Sequence, residues 1–523
     1  MKRIKEFIRT SEEADIGFGL WIITALCIIL IRDSIESLVC ARSFQPVDAF
    51  HFLHFPVFFL TALLSIILLL HFFTKEEILK VSKICLIFFA AVILPACLDL
   101  ITSFITKTNI SYYYIHTNVA QSLVNFFNPF YRIPEVPYSL RIEILIICVF
   151  SFAYIYFKTK KVLNSILGAF LIFCACALYG ALPGLLVSGF IGVVSFLFRV
   201  FHPFFSGKIV SGVVDESIVV IVELIFACVV TVLWFWRYDP AKFKVVIKDF
   251  RVTRYISFFI LLAIGISLYL SGAKGIDGFI AIRILAASLA LFFSVRFSGV
   301  INDLFDVDCD RVSNKGRALV TGIIGEAEYL RVGLVYLTFS LLFSIWVSEN
   351  CFVLNLLLMG IYFLYSVPPF RLKRFFAFSS LVTGIQAVII LLMGHLSLAK
   401  GDTTVLLYPP LLWLVFLIFF LGSNIKDLKD VDGDRLCGVY SLPVIFGEMR
   451  ARKIIAFLVF LSYILIPVFL SDFFYDIKIP ALSVFFAFYS YFYIRKPHSA
   501  EKVIFLLYFL YAFIAALLFI TGI

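Results

Sequence analysis

The chain has 523 residues, of which 62% are hydrophobic and 15% charged, and its mean hydropathy is +1.05. Apolar runs near the roughly 20 residues that cross a bilayer exclude a soluble globular protein and predict a polytopic membrane protein with helical spans. The formal charge of +10 does not indicate nucleic-acid binding, because Lys and Arg lie in short loops beside apolar runs, where the positive-inside rule places them. Membrane lipid is an expected partner; nucleic acid is not.

The first half of the chain contains six apolar runs. Their approximate bounds are 17–38, 52–72, 83–105, 139–157, 162–202 and 216–236. The run 162–202 is long enough for two crossings, but the flanking Lys and Arg clusters fall on one side of the membrane only if it crosses once overall. We therefore predict a separate bundle of about six spans in an N-terminal domain, residues 1–245, whose function the sequence does not indicate. Its N-terminus is expected in the cytoplasm.

Polar residues in this half carry little information. Asp99, Glu143 and Glu223 lie within or at the ends of spans, where an ionisable side chain is by default a functional-site hypothesis. Because they show no repeated spacing, paired structural charges or a position at the membrane surface explain them equally well. The eleven cysteines of the chain are scattered, mostly in apolar runs. We expect them to be reduced core residues that form neither a disulfide framework nor a metal site.

The second half, residues 246–523, begins in a basic segment from Tyr238 to Arg254 that is typical of a short cytoplasmic linker. Nine apolar runs follow, at 253–272, 278–301, 329–347, 350–366, 377–397, 405–424, 454–471, 479–494 and 502–521. Alternate crossings from a cytoplasmic start place the most charged loops in the cytoplasm, so one orientation satisfies the charge rule in both halves. The sequence thus predicts an integral protein of the cytoplasmic (inner) membrane.

Two stretches of this half are nearly identical. Asp303 to Arg311 reads DLFDVDCDR and Asp427 to Arg435 reads DLKDVDGDR, so seven of nine positions match at an offset of 124 residues. Each copy spaces carboxylates at i, i+3 and i+7, which predicts three acids on one helical face. We call these sets the first Asp stripe and the second Asp stripe. They consist of Asp303, Asp306 and Asp310, and of Asp427, Asp430 and Asp434.

Like charges this close repel one another, so the stripes require a strong cation between them. Mg²⁺ prefers one or two carboxylates plus phosphate oxygens to an all-protein cage, so the pattern favours Mg²⁺ ions that bridge a diphosphate. A solvated helix end explains one acidic cluster, but it does not explain why nearly the same nine-residue sequence occurs twice. We predict that all six aspartates bind metal and that Asp303, Asp306, Asp427 and Asp430 are catalytic.

Basic residues near the stripes complete a pattern suited to a polyanion. Lys315 and Arg317 follow the first stripe, and Arg371 and Lys373 follow Tyr365 in YSVPPFRLK. Arg binds phosphate through two donors and Lys acts as a point charge, although membrane anchoring is the alternative explanation. The predicted substrate-binding residues are Asn302, Lys315, Arg317, Tyr365, Arg371, Lys373 and Asn424.

These motifs resemble those of the UbiA-type intramembrane prenyltransferases over about residues 250–523. Asn302 and the first stripe match the family's NDxxDxxxD signature after the second span, and the second stripe matches its DxxDxxxD-type signature after the sixth. The basic loop departs from the family's pattern, with Gly316 and Ala318 where prolines are often found. The resemblance implies a nine-helix bundle with a central cavity that binds a polyprenyl diphosphate through Mg²⁺. It also implies prenyl transfer to an aromatic, quinone-precursor type, lipid or alcohol acceptor with release of diphosphate, and Tyr365 as an aromatic group that stabilises the cation.

Two other classes of protein are alternatives. Repeated acidic motifs in a chain of about fifteen spans also occur in cation exchangers, but those bind ions near mid-membrane. Here the stripes lie at span ends and are followed by basic residues that would repel a cation. A non-catalytic scaffold is the other alternative, and the presence of all six carboxylates argues against it.

Overall fold

A computed structural model describes most of the chain. The described residues are 2–41, 49–106, 138–179, 209–210, 216–250, 252–272, 276–277, 279–399, 408–471, 477–496 and 501–521. Their regular secondary structure is helical apart from β1 (Ile209–Val210) and β2 (Ile276–Asp277), which pair in parallel, and one isolated bridge between Phe375 and Tyr440. The predicted all-α polytopic class is confirmed.

The chain divides into two compact units. The N-terminal unit comprises Met1–Phe205 and Ser211–Phe243, and the C-terminal unit comprises Ser206–Val210 and Lys244–Ile523. The helices of the N-terminal unit are α1 (Lys2–Glu13), α2 (Phe18–Ala41), α3 (Ala49–Thr74), α4 (Ile78–Phe89), α5 (Ile93–Thr106), α6 (Tyr138–Thr159), α7 (Val162–Tyr179) and α8 (Glu216–Tyr238). The expected linker contains a further helix, α9 (Pro240–Lys248).

Buried charges in the N-terminal unit are paired with one another. The Arg32 guanidinium lies 2.7 Å from the Glu36 carboxylate and 3.5 Å from that of Glu143. His54 Nδ1 lies 2.9 Å from Glu223 Oε2, and both side chains are almost fully buried. Charged side chains within a membrane require partners of this kind. For Glu143 and Glu223, the structure therefore supports the explanation that they are paired structural charges.

The C-terminal unit follows the predicted apolar runs closely, with a helix at each of the nine. Its helices are α10 (Val252–Gly272), α11 (Ile280–Phe305), α12 (Val307–Ser313), α13 (Glu326–Val347), α14 (Glu349–Ser366), α15 (Phe376–Leu396), α16 (Pro409–Gly422), α17 (Val431–Leu436), α18 (Leu442–Phe446), α19 (Glu448–Phe469), α20 (Lys478–Ile494) and α21 (Glu501–Thr521). Short 3₁₀ helices lie at Ala90–Val92, Leu372–Arg374 and Ser423–Leu428.

Length and composition identify the helices that can cross a membrane. Twelve helices of the described part of the chain are long and apolar enough, and two shorter apolar helices, Tyr255–Ser271 and Lys478–Ile494, accompany them. The protein is an integral membrane protein, and the split into six and nine spans stays a prediction. Residues 180–202 of the long run 162–202 lie outside the described residues.

Two glycines allow α10 and α15 to touch through their backbones. A Cβ atom at Gly265 would lie 2.2 Å from the carbonyl oxygen of Leu391, and one at Gly394 would lie 2.2 Å from that of Leu262. In a bilayer, helix association depends on close van der Waals packing, and small residues at the interface permit it. The pairing of α10 with α15 therefore requires glycine at both positions.

We expect Gly394→Ala to destabilise the C-terminal unit by about 1–3 kcal/mol, the usual cost of overpacking, because the new methyl group must displace backbone. Gly360→Ala in α14 is the matched control, since a Cβ there meets nothing within 4 Å. Thermal unfolding of the detergent-solubilised protein measures both. Equal midpoints for the two variants would contradict the backbone contact.

Candidate active site

The first Asp stripe begins on a long helix and bends at its second aspartate. Asp303 lies buried in the last turn of α11, and Asp306 separates α11 from α12 with φ −117° and ψ 11°. Asp310 lies in α12, where its amide donates to the Asp306 carbonyl at 2.8 Å. The expectation of one continuous helical face was therefore wrong, because the helix is interrupted at Asp306 and the stripe is divided between α11 and α12.

The second Asp stripe has the same bend at the matching residue. Asp427 lies in the 3₁₀ turn Ser423–Leu428, and Asp430 precedes α17 with φ −102° and ψ 16°. The amide of Asp434 donates to the Asp430 carbonyl, again at 2.8 Å. The repeat in sequence is thus a repeat in backbone structure.

The short helices α12 and α17 bring the two stripes together. A Cβ atom at Gly433 would lie 2.1 Å from Ser313 Oγ and 3.2 Å from the Cys309 carbonyl oxygen, so the helices touch where the second stripe has glycine. A disulfide joins Cys309 to Cys437, with Cα atoms 5.9 Å apart. The prediction that the cysteines form no disulfide was wrong. The two residues are 128 positions apart, so only the packing of the two motifs shows that they meet.

Two cations from the loop after α14 neutralise Asp306. Arg371 Nη2 donates to Asp306 Oδ1 at 2.9 Å, and the ammonium of Lys373 forms a short ion pair with Asp306 Oδ2. Lys373 also donates to Asn302 Oδ1 at 3.1 Å, and Ser366 donates to the same oxygen at 3.2 Å. Four predicted site residues, Asn302, Asp306, Arg371 and Lys373, therefore lie in one hydrogen-bonded group.

The second stripe also has basic neighbours, which the sequence analysis did not select. Lys426 Nζ donates to the Tyr365 hydroxyl at 3.1 Å and lies 5.5 Å from the centre of that ring. Lys429 Nζ donates to Asn314 Oδ1 at 3.2 Å, while Asn314 Nδ2 donates to Asp310 Oδ1 at 2.9 Å. A lysine of the second stripe thus reaches the first stripe through one asparagine. Lys426 directly precedes the DLKD sequence of the second motif and Lys429 lies within it. This proximity to the motif could have identified both lysines.

The Asn424 side chain forms hydrogen bonds within the helix bundle. Its side-chain oxygen accepts from Ser380 Oγ at 2.9 Å, and its amide donates to the Phe420 carbonyl at 3.4 Å. It is buried and connects the end of α16 to α15. Lys315, in contrast, is exposed.

Arg317 joins the first stripe to the linker. Its Nη1 donates to Asp249 Oδ1 at 2.7 Å, and its Nε lies 3.9 Å from Asp310 Oδ2. Burial lowers the pKa of Arg317, but the charges of Asp303 and Asp249 outweigh burial, and the net shift is upward. The guanidinium is therefore a fixed positive charge. Sequence analysis missed Asp249, whose only signal is that it is an acid inside a basic linker.

The arrangement of carboxylates fits Mg²⁺ held jointly with phosphate. Burial raises the pKa of Asp434 to about 6, and the charges of Asp430 and Asp306 add to the rise. Asp430 Oδ1 is buried and makes no hydrogen bond to another described residue. Among the described residues, no group of three or more His, Cys, Asp or Glu could hold a metal by itself. An ion that takes one or two carboxylates and completes its shell with phosphate and water fits such a site, and the six-aspartate ligand set stays a prediction.

A helical membrane bundle with two acidic motifs at span ends defines the class of protein, and comparison with known proteins identifies the family. Residues 259–517 match the model of the UbiA prenyltransferase family. The C-terminal half of the chain belongs to this family, as its motifs indicate.

Curated relatives align with only part of the chain. Digeranylgeranylglyceryl phosphate synthase of Methanocaldococcus jannaschii is 27% identical over 187 residues, covering 36% of this chain and 63% of the relative. Chloroplastic chlorophyll synthase of Arabidopsis thaliana is 29% identical over 171 residues, covering 30% of this chain and 42% of the relative. The chain thus spans less than two thirds of the length of these relatives.

One similar solved structure is a UbiA homolog from Archaeoglobus fulgidus bound to GPP and Mg²⁺. It is 22% identical, and the alignment covers 53% of this chain and 98% of that one with a TM-score of 0.42.

The disulfide predicts a specific pattern of thiol labelling. In protein purified without reductant, Cys309 and Cys437 should resist a maleimide reagent until a dithiol is added, because both sulfur atoms are bonded. Cys309→Ser should make Cys437 reactive without reductant. The same wild-type sample after addition of the dithiol is the internal control, in which both cysteines should label. Mass spectrometry of the labelled peptides gives the result, and labelling of both cysteines before reduction would contradict the bond.

Proposed function

We propose that the C-terminal half transfers a prenyl group from a polyprenyl diphosphate to an acceptor, with release of diphosphate and with Mg²⁺ as cofactor. The observation that carries the proposal is the mixed charge of the site. Two acidic motifs are joined at α12 and α17, and Lys373 and Arg371 lie against Asp306. Carboxylates that hold a divalent ion, next to cations that bind phosphate, are what a metal-bound diphosphate requires.

Different residues of this site are proposed to bind the metal ion and the phosphate groups. When bound, Mg²⁺ compensates the charge that develops on the leaving group. Asp306 and Asp430 would hold the ion, and Lys373 and Arg371 would transfer their hydrogen bonds from Asp306 to phosphate oxygens when the substrate enters. The allylic C1–O bond breaks with its electron pair on the diphosphate, and the acceptor forms a new bond to C1 and loses a proton. Cationic donors next to the leaving diphosphate stabilise the negative charge that develops on it.

Tyr365 is suited to the carbon side of the reaction. Its ring already lies 5.5 Å from the ammonium of Lys426, so its face accepts a positive charge at the usual cation–π distance. We propose that the same ring stabilises the cation-like prenyl carbon. The hydrogen bonds of its hydroxyl to Lys426 and Ser379 keep the ring in place.

The acceptor is the second substrate of the proposed reaction. We propose a lipid or other alcohol, or an aromatic ring of the quinone-precursor type. The relatives named digeranylgeranylglyceryl phosphate synthase favour the lipid class. We further propose that the site opens toward the cytoplasm, because Lys and Arg concentrate in its loops.

The charge pattern also bears on the exchanger alternative. Two cationic side chains in contact with Asp306 would repel a transported cation at that carboxylate, whereas they attract a polyanion. This contact favours a diphosphate substrate over an exchanged ion.

We expect Asp306→Ala and Asp430→Ala each to lower Mg²⁺-dependent diphosphate release by about 100-fold or more, as loss of a group that stabilises developing charge does. If both act on one bound diphosphate, the double variant should be little worse than either single variant. Asp308→Ala is the matched control, because that side chain lies in α12, two residues after Asp306, and is 83% exposed.

The assay uses membranes supplied with a series of prenyl diphosphates, with and without EDTA. Full release in the chelator, or losses that multiply in the double variant, would count against one metal-dependent site.

We also propose that residues 1–245 and 246–523 are separate domains. The C-terminal part contains both Asp stripes, the basic loops and the linker residue Asp249, and its helices enclose a core of their own, which includes Ile455, Tyr463 and Phe486. A shortened chain that starts at Ala241 should therefore insert and release diphosphate. The comparison is with the two halves expressed together. A C-terminal part that is folded but inactive until the N-terminal part is added back would defeat the two-domain proposal.

A further inference from the structure

The linker residue Asp249 lies at the centre of a buried network beside the first Asp stripe. It follows α9, outside both repeated motifs, and its side chain is almost fully buried. Together with Tyr255, Arg296, Asp303 and Tyr329 it lines a small cavity. An acid that is buried next to an acidic motif needs a reason, because the two negative charges repel each other in a medium of low dielectric constant.

Two side chains attach the Asp249 carboxylate to the site. Arg317 Nη1 donates to Oδ1 at 2.7 Å, and the Tyr329 hydroxyl lies 3.0 Å from Oδ2. That hydroxyl also lies 3.3 Å from Asp303 Oδ2. The Asp249 carboxylate therefore holds a cation of the basic loop. The Tyr329 hydroxyl, which has one hydrogen to donate, lies between this carboxylate and that of Asp303.

The main chain at Asp249 is held as firmly as its side chain. Arg296 Nη1 donates to the Asp249 carbonyl at 3.2 Å, and Arg296 Nη2 donates to the Val246 carbonyl at 2.9 Å. Arg296 is itself buried in α11. The end of α9 is thus fixed to α11, and the position of the Asp249 carboxylate does not depend on a mobile loop.

We propose that Asp249 is a positioning residue for Arg317, and that it holds the guanidinium beside Asp310 so that the remaining N–H groups are available to the diphosphate. This inference rests on the proposed function. Arg317 has five N–H donors in a rigid fork. Among the described residues, Asp249 accepts a hydrogen bond from Nη1. Its Nε is buried and makes no hydrogen bond. Anchoring one nitrogen to a fixed carboxylate reduces the freedom that a long side chain must lose when the substrate binds.

The same geometry explains the buried acid. Among the described residues, Arg317 without Asp249 would keep one ion-pair contact, that of Nε with Asp310 at 3.9 Å. The guanidinium could then move with its loop. A charge-assisted hydrogen bond is about twice as strong as a neutral one, so the charge of Asp249 matters as well as its shape. Asp249 does not touch the reacting atoms, and its effect should appear in diphosphate binding.

The test measures turnover and binding in the full-length protein. We expect Asp249→Asn to raise the KM for the prenyl diphosphate about tenfold with a smaller change in kcat, as loss of an interaction common to ground state and transition state does. Calorimetric titration with inorganic diphosphate and Mg²⁺ should show a similar loss of affinity. Asp249→Glu, which keeps the charge, should remain within about threefold of the wild type.

Asp239→Asn is the matched control in the same linker. Asp239 accepts from the amides of Ala241 and Lys242 at 3.0 Å, and asparagine caps a helix as well as aspartate does. We therefore expect wild-type KM and wild-type diphosphate affinity for this variant.

A double variant separates positioning from a purely structural role. If Asp249 acts through Arg317, adding Asp249→Asn to Arg317→Gln should change KM by less than about twofold. Losses that multiply would overturn the inference. Arg317→Lys serves if Asp249→Asn does not fold, because a lysine keeps the charge but lacks the fork. It should reproduce the tenfold rise, and a wild-type KM would overturn the inference.

The outcomes for the inference and for the proposed function are distinct. Wild-type affinity and KM in Asp249→Asn would overturn the positioning role and leave prenyl transfer intact. Binding of diphosphate that depends on Asp249, in a protein that never turns over a prenyl diphosphate, would support the positioning role and contradict the proposed function. A wild-type protein that neither binds nor turns over would overturn both.

Discussion

The contact of Asp306 with Lys373 and Arg371 is the interaction on which the site depends. A lone charged side chain in the middle of a bilayer costs about 2.5–3.5 kcal/mol on insertion scales, and carboxylates near one another raise the cost further. Lys373, Arg371 and Arg317 offset the negative charge of the first stripe at short range. This pairing compensates the charge of the first stripe, and in the proposed reaction the same cations bind phosphate.

Duplication of a short motif explains how the protein builds such a site. Both stripes bend at the second aspartate, with nearly the same dihedral angles at Asp306 and Asp430. The two copies differ at the point of contact, where Cys309 of the first corresponds to Gly433 of the second. Glycine allows α12 to approach α17, and Cys309 forms its bond with Cys437 one turn beyond Gly433. Of the two positions at which the copies differ, the one occupied by Cys309 and Gly433 is thus where α12 and α17 pack together.

The two units use buried charge differently. In the N-terminal unit the carboxylates of Glu36 and Glu223 lie 2.7 and 2.9 Å from nitrogen atoms of Arg32 and His54. In the C-terminal unit Asp430 Oδ1 is buried without a hydrogen bond and Asp434 binds its proton more tightly than usual, with a pKa of about 6. Closed pairs stabilise a bundle, whereas carboxylates with incomplete compensation are suited to binding a cation.

The sequence by itself determined the membrane class, the position of nearly every helix, the two Asp stripes and the family. These features are local, because apolar length and the spacing of acids can be read in one window. Only the tertiary structure decided the bend at Asp306, the disulfide between Cys309 and Cys437, and the contact of Arg317 with Asp249. Each of the two contacts joins residues more than 60 positions apart. Such pairs depend on which helices pack together, and periodicity along the chain does not specify the partner of a helix.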